Sequence, residues 1–395
     1  FLGFIFRGII VKNIKHDKKS SIISLYIIFN PLSLKCFNIY FYYFVIPELR
    51  KVIVIDIKAN SVPTFNELVQ FINGMPKIDQ EAIDLVRKRD QSLLKPNGSL
   101  GVLEELVEWV AGWQGSYPPR VDNLSLSIFI SNHETANNHA ISPFPTSVTE
   151  ALVKSFRSDH AVVNQICKTH NIGLQVFDLA IEMPTNDITL APAMLENDCI
   201  TTILYGREAL SSNPDILCLG DAGIGNTTIS SAICSALYGG EIDEWVGPGT
   251  GASQEMIQKK IEVIKKSQKI HPNRDPFEIL RCFGGREFAA ILGAILAARF
   301  ERVPVVLDGF PVCAAAAILH SISPNSIDHC YIGHRSAEPG HSKLLAKINK
   351  IPLIDLKMRL GEGSGAAMAI PIIMSAVNIH NNTSTFEEAN VPNQK

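Results

Sequence analysis

The stretch Gly361-Glu362-Gly363-Ser364-Gly365 sets one carboxylate among three glycines. Glycines let a backbone pass close to a flat ligand, and a carboxylate there could take a proton from a ring nitrogen or orient a nucleophile. The same glutamate could instead cap the helix that follows. A second glycine-rich loop, Gly220-Asp221-Ala222-Gly223-Ile224-Gly225-Asn226-Thr227-Thr228, leaves an apolar run and enters a helix. Successive N–H groups in such a loop can surround an anion, and Thr227 and Thr228 could cap the helix or donate to a phosphate. The loop lacks GxxxxGK[ST], and Ala222 stands where GxGxxG needs its second glycine. Both common nucleotide fingerprints are therefore missing. A tight turn with a capped helix and a phosphate or sugar-phosphate loop both remain open. Gly247-Pro248-Gly249-Thr250-Gly251 could wrap another side of the same anion. Lys260 follows it, as a phosphate partner or as a solvated lysine. Asp308 and Gly309 end PVVLDG, where an aspartate can bind ribose hydroxyls or hold a neighbouring loop. His334, Ser336, Glu338 and His341 follow the next strand, and Asn132 and His133 follow LSLSIFI; each has a structural alternative.

These loops need a scaffold that brings them together. Short apolar runs at 124–130, 173–179, 215–219, 304–309 and 328–333 read as strands. Helices are expected at 66–92, from about Leu100 to Trp113 with Ser99 as a cap, and at 148–169, 192–210, 227–238, 253–270, 286–299, 312–321 and 341–349. Alternation of this kind gives an α/β fold, a mostly parallel sheet covered on both faces. Ligands then bind beyond the carboxyl ends of the strands, where the glycine loops fall. The early helices could form a small second domain, joined by the C-terminal tail.

The chain has 395 residues, 46% hydrophobic and 19% charged, enough for a large core. Its net charge of -3 argues against an overall basic nucleic-acid binder. Residues 1–60 differ from the rest, with 9 basic and 3 acidic residues against 27 and 36 in the remainder. Two uncharged runs, 21–34 and 36–47, are separated by Lys35 and together approach the ~20 apolar residues of a membrane span. The segment reads as an unstructured or spurious extension, a targeting segment or a membrane anchor. The eight cysteines form no CxxC, which suits buried reduced thiols in a cytoplasmic protein. The eleven histidines form no HExxH, so neither metal nor cofactor is expected.

The ordered set of motifs resembles the nicotinate-nucleotide–dimethylbenzimidazole phosphoribosyltransferase family over roughly residues 66–391. It runs KPNGSLGVLEEL (95–106), VTEALV (148–153), APAM (191–194), GDAGIGNTT (220–228), GPGTG (247–251), FGGREFAAILGAILAA (283–298), PVVLDGF (304–310), GHRSAEPGH (333–341) and MRLGEGSGAA (358–367). The resemblance implies a large three-layer α/β domain with a mostly parallel Rossmann-like sheet (116–370). A small helical domain would come from 61–115, with the 371–395 tail packed on it. It implies a homodimer that moves phosphoribose from nicotinate mononucleotide to 5,6-dimethylbenzimidazole, giving α-ribazole 5′-phosphate in cobalamin lower-ligand assembly.

By the same resemblance, Glu362 is the catalytic base. Asp221, where the family usually has glutamate, lies near the reacting ribose. Gly223, Ile224, Gly225, Asn226, Thr227, Gly249, Thr250, Gly251, Lys260 and Asp308 would hold phosphoribose. Phe144, Val148, Leu152, Leu360 and His133 would form the base pocket. The chain departs from the pattern at Asn132-His133-Glu134, where the family has Asp-His-Gly. It departs again at Ser158-Asp159-His160-Ala161, in place of a GGAA-like turn. Phe144 and Leu152 stand where some members have Ser and Gln, giving a more apolar pocket. Asn132, Glu134 and Asp221 support the alternative of a binding or regulatory homologue without turnover.

Overall fold

The computed structural model describes residues 62–392. The expectations for residues 1–60 lie outside this range. Contacts divide the chain into residues 1–70 and 71–395. The helix Phe65–Asn73, which starts in the first unit, opens with Glu67 accepting the N–H of Thr64 at 2.7 Å.

The second unit is built on six parallel strands: β1 Leu124–Ile130, β2 Gly173–Asp178, β3 Ile216–Ala222, β4 Val305–Leu307, β5 Cys330–His334 and β6 Pro352–Ile354. Their spatial order is β2-β1-β3-β4-β5-β6. The chain runs outward to one side of β1 and then returns to build the other. This creates a topological switch point between β1 and β3, the usual place for a ligand crevice. The register aligns Ile130 with Asp178 and with Ala222, so these strands end level.

Every residue of β1 and β3 is buried, because helices cover both faces. On one side, Leu126, Ile128, Cys218 and Val306 share a cluster with Val110, Ile370, Ile373 and Val377, from the helices Val102–Gln114 and Ser364–Asn382. The helices Arg286–Phe300 and Phe310–Ile322 contact the sheet as well and are almost wholly buried. The expected α/β architecture is thus present: a parallel sheet between helical layers. The early helices and the tail meet through backbone bonds, Leu94 N–H to Ser384 at 2.9 Å and Phe386 N–H to Ser92 at 3.0 Å. Arg89 also donates to the carbonyls of His380, Asn381 and Thr383. One helix, Ser364–Asn382, runs across position 370.

Several local expectations are corrected. The strand expected at 215–219 continues to Ala222, because β1 keeps pairing with it through Ile130. Asp221 is therefore a strand residue. The helix expected at 148–169 is two, Val148–Arg157 and Val162–His170, parted where Asp159 takes φ +64°. Asn164 stitches the break, accepting the N–H of Ala161 at 3.1 Å and donating to the Phe156 carbonyl at 2.9 Å. The helix expected at 66–92 is also two, and Asp79 caps the second, Gln80–Asp90, by accepting Ala82 N–H. Ser99 caps nothing; Gly101 holds that position, without a side-chain bond. The helices Glu134–Asn138 and Pro276–Phe283 and the short β6 were not anticipated. All seven cysteines among the described residues are buried and free.

Candidate active site

A cavity of about 460 Å³ opens at the carboxyl ends of the strands. Thr227, Lys260, Glu362 and Phe144 all line it, although they come from four separate segments of the chain. Its size falls within the range of small-molecule sites.

One part of the lining could hold an anion. The helix Asn226–Tyr238 starts there, with Gly225 at its N-cap in a left-handed conformation, φ +94°, that a side chain would strain. No side chain caps this end, so Thr227 and Thr228 are not caps. The helix dipole favours negative charge there, although the N–H groups of Asn226 and Thr228 already turn to the carbonyls of Gly223 and Gly225. Gly223, Ile224, Gly225, Asn226 and Thr227 all line the cavity. Lys260 is no surface lysine: it is 2% exposed. Its Nζ donates to the carbonyl of Gly247 at 3.0 Å and to Thr227 Oγ1 at 3.3 Å. Burial lowers its pKa, and the charge of Glu338 acts in the opposite direction.

Gly249 and Thr250 join the lining; Gly251 does not. The Gly249 peptide is gripped from both ends. Glu338 Oε1 accepts its N–H at 2.8 Å, and Arg359 Nη1 donates to its carbonyl at 2.5 Å. Glu338 is 4% exposed, and burial raises its pKa against the pull of Lys260.

Another part of the lining is apolar. Phe144, Val148, Leu152 and Leu360 form it together with Ile141 and Pro143. Phe144 and Leu360 are 46% and 40% exposed, leaving apolar surface for a flat ring to cover. His133, expected in this wall, is elsewhere. It is buried, with Nε2 at 2.7 Å from Glu287 Oε1 and Nδ1 at 3.1 Å from Thr185 Oγ1. Ser131 bonds the other oxygen of Glu287. This closed network braces the end of β1. Glu287 was not foreseen, because nothing in FGGREF sets it apart from a surface helix residue. Asn132 is likewise spent internally, accepting from Thr149 and donating to the Ile181 carbonyl. Glu134 opens a short helix and accepts from Asn137 at 2.8 Å; it does not line the cavity.

Glu362 lines the cavity at φ +63°, a conformation costly for a residue with a side chain. It does not cap the following helix, whose N-cap position is held by Gly363. Burial, assisted by the charge of Asp308, pushes its carboxyl up to about 7. Its loop crosses directly over β3. A Cβ on Gly220 would lie 2.5 Å from the N of Gly363, so only glycine allows this approach.

Asp221, 2% exposed, accepts from Asn226 Nδ2 at 2.5 Å. Its second oxygen has no partner. Burial first, then the charges of Asp308 and Glu287, raise its pKa well above the carboxylate range. These surroundings favour its protonated form.

Asp308 does not line the cavity and is fully buried. Its oxygens accept the N–H groups of Gly363, Gly365 and Ala366 at 3.0, 2.8 and 3.0 Å. Of its two expected roles, it takes that of loop holder, not sugar contact. Burial pushes its carboxyl up. The neighbouring His334 and the Ala366 and Gly365 amides outweigh that and leave it below the usual range. His334 Nε2 lies 3.4 Å from Asp308 Oδ1, close but not aligned as a hydrogen bond.

Among the described residues, no group of three or more His, Cys, Asp or Glu is placed to hold a metal ion. None of the described helices is long and apolar enough to cross a membrane.

Comparison with known proteins places this geometry. A family model described as Phosphoribosyltransferase matches residues 75–391. The chain is 49% identical over 331 residues to the nicotinate-nucleotide–dimethylbenzimidazole phosphoribosyltransferase of Allorhizobium ampelinum, covering 83% of this chain and 97% of that one. It is 50% identical over 340 residues to the enzyme of the same name from Brucella abortus, covering 85% and 99%. The crystal structure of CobT from Thermus thermophilus superposes with a TM-score of 0.73 at 32% identity, over 80% of this chain and 100% of that one. The described fold, its cavity at the carboxyl ends of the strands and these matches agree: the chain belongs to the nicotinate-nucleotide–dimethylbenzimidazole phosphoribosyltransferase family.

Proposed function

We propose that the chain transfers the 5-phosphoribosyl group of nicotinate mononucleotide to 5,6-dimethylbenzimidazole, releasing nicotinate and α-ribazole 5′-phosphate. The observation that carries this reading is the sharing of one cavity by an anion cradle, an apolar wall and a carboxylate whose pKa sits near 7.

The phosphate sits at the N-terminus of the helix Asn226–Tyr238, with Lys260 and the Gly249–Thr250 loop around it. The azole lies against Phe144, Val148, Leu152 and Leu360. The lone pair of one azole nitrogen attacks C1′, and the C1′–pyridinium bond breaks with its electron pair going to the ring. That ring is already cationic, so nicotinate leaves without protonation. The other azole nitrogen gives its proton to Glu362, whose proton affinity suits uptake near neutral pH. Most of the acceleration comes from holding two rings in line at one carbon. Asp221, whose burial favours its protonated form, offers a hydrogen-bond donor near the ribose.

The family resemblance also supports a homodimer acting in cobalamin lower-ligand assembly. The reading is tested by incubating the full chain with nicotinate mononucleotide and a panel of benzimidazoles. Azole-dependent release of nicotinate is expected. Release at the same rate without azole, or none with any azole, contradicts it.

A further inference from the structure

We infer that Asp308 is a positioning residue for Glu362, holding the loop that carries it through the amides of Gly363, Gly365 and Ala366. This rests on the reading of Glu362 as the base. Asp308 ends the β4 segment and never reaches the cavity, so it can act only through what it holds. It takes three amides of one loop, those of Gly363, Gly365 and Ala366, each at 3.0 Å or less. These follow Glu362 immediately and form the first turn of the helix Ser364–Asn382. Glu362 itself is fixed on its other side, donating its N–H to the Asp221 carbonyl at 3.2 Å.

A non-glycine residue at φ +63° persists only where its surroundings over-determine it. Asp308 and the Asp221 carbonyl supply that determination, one on each side of Glu362. The charged and titratable groups around the pair include Asp221 on β3, Asp308 itself after β4, Cys313 on the helix Phe310–Ile322, His334 on β5, His341 on the helix Pro339–Lys347, and Arg359 on the loop that carries Glu362. Of these, Asp308 stays ionised, because its amides and His334 favour the charged form. A fixed negative charge beside Glu362 opposes a second one, and Glu362 keeps its proton to higher pH.

Asp308→Asn tests this. An amide can still accept from Gly365 and Ala366, but it meets the N–H of Gly363 with its own NH₂ and carries no charge. Three readouts on the full chain are compared with wild type: melting, calorimetric binding of nicotinate mononucleotide, and the pH profile of kcat. Cooperative melting and binding within about threefold should be retained, while kcat falls about ten- to a hundredfold, the cost of a misplaced reacting group. The acid limb of the profile should move below its wild-type midpoint, toward the ordinary carboxylate range. An unmoved limb, or an unchanged kcat, overturns the proposal. So does loss of melting or of binding, which would make Asp308 a residue of the fold alone. Glu362→Gln is run alongside: if it turns over like wild type, the base assignment fails independently of Asp308.

Discussion

The backbone N–H of Glu362 donates to the carbonyl of Asp221 at 3.2 Å. This bond ties the glycine loop at 361–365 to the end of β3, next to the helix N-terminus that starts at Asn226. The two carboxylates expected to do chemistry are thus linked through the main chain, while their side chains hold opposite duties. Burial and neighbouring charge favour the protonated form of Asp221, and Glu362 is poised to change state near pH 7.

Replacing Glu362 by Gln should lower kcat by about 10²–10⁴-fold, the usual contribution of a positioned base. Binding of nicotinate mononucleotide, measured by calorimetry, should stay close to wild type, since the phosphate cradle is elsewhere in the cavity. In the wild type, kcat should rise with pH through about 7 as Glu362 ionises. A flat profile between about pH 5.5 and 8 would remove Glu362 as the base.

The same pKa shift has a stability consequence. The folded carboxyl holds its proton up to about 7, whereas the unfolded one releases it near 4.5. Between those values the native state binds more protons, so this group's contribution to stability falls as pH rises through the window. The loss amounts to roughly 3 kcal/mol above pH 7 if the full shift is realised. Glu362→Gln should therefore melt at a higher temperature than wild type at about pH 8. The two should melt alike below pH 4.5. Thermal melting followed by circular dichroism across this range reads the difference directly.

The fold was legible wherever burial follows sequence. LSLSIFI gives β1 with its observed bounds, because every residue in it is covered on both faces. DILCLG was read as ending at Leu219, since Gly220 and Asp221 look like a loop. Pairing with β1 keeps them in the sheet, and only partner strands could reveal that. The Val148–His170 region carries continuous apolar periodicity, and a left-handed Asp159 breaks it without a proline or glycine to announce the break. The helix Pro276–Phe283 did have a signal: Asp275 before Pro276 is a cap followed by proline at the first turn. In the site, glycine loops pointed to the cradle, and the wall was given only by the family resemblance. Lys260 was read as a phosphate partner or a solvated lysine, and its burial was not legible, because that depends on the turn at Gly247, thirteen residues earlier in the chain. Glu287, Glu338 and Arg359 carry no local signature of their bracing roles, which arise from contacts distant in sequence.

Lys260→Met keeps the side-chain length and removes the charge. Loss of a charge-assisted bond to phosphate, about 1.5–3 kcal/mol, corresponds to roughly ten- to a hundredfold weaker binding of nicotinate mononucleotide. Nicotinate riboside, which lacks the phosphate, should bind wild type and variant alike. Equal weakening for both ligands would place Lys260 outside the phosphate site.

Gly220→Ala puts a methyl group 2.5 Å from the N of Gly363 and 2.9 Å from the carbonyl carbon of Glu362. Backbone on both sides leaves nothing flexible to yield. Overpacking of this kind costs about 1–3 kcal/mol, and the shift falls on the loop carrying Glu362. Chemical denaturation should show that loss, and kcat should drop while the dissociation constant for nicotinate mononucleotide stays near wild type.

The central claim is the transfer itself, and its most direct test is the identity and anomeric configuration of the product. The full chain is incubated with nicotinate mononucleotide and 5,6-dimethylbenzimidazole, and the products are resolved by mass spectrometry and proton NMR. The account predicts nicotinate and α-ribazole 5′-phosphate in equal amounts, with the configuration at C1′ inverted by attack from the face opposite the leaving ring. A β-configured product, or nicotinate released as ribose 5-phosphate forms with no azole adduct, would contradict it.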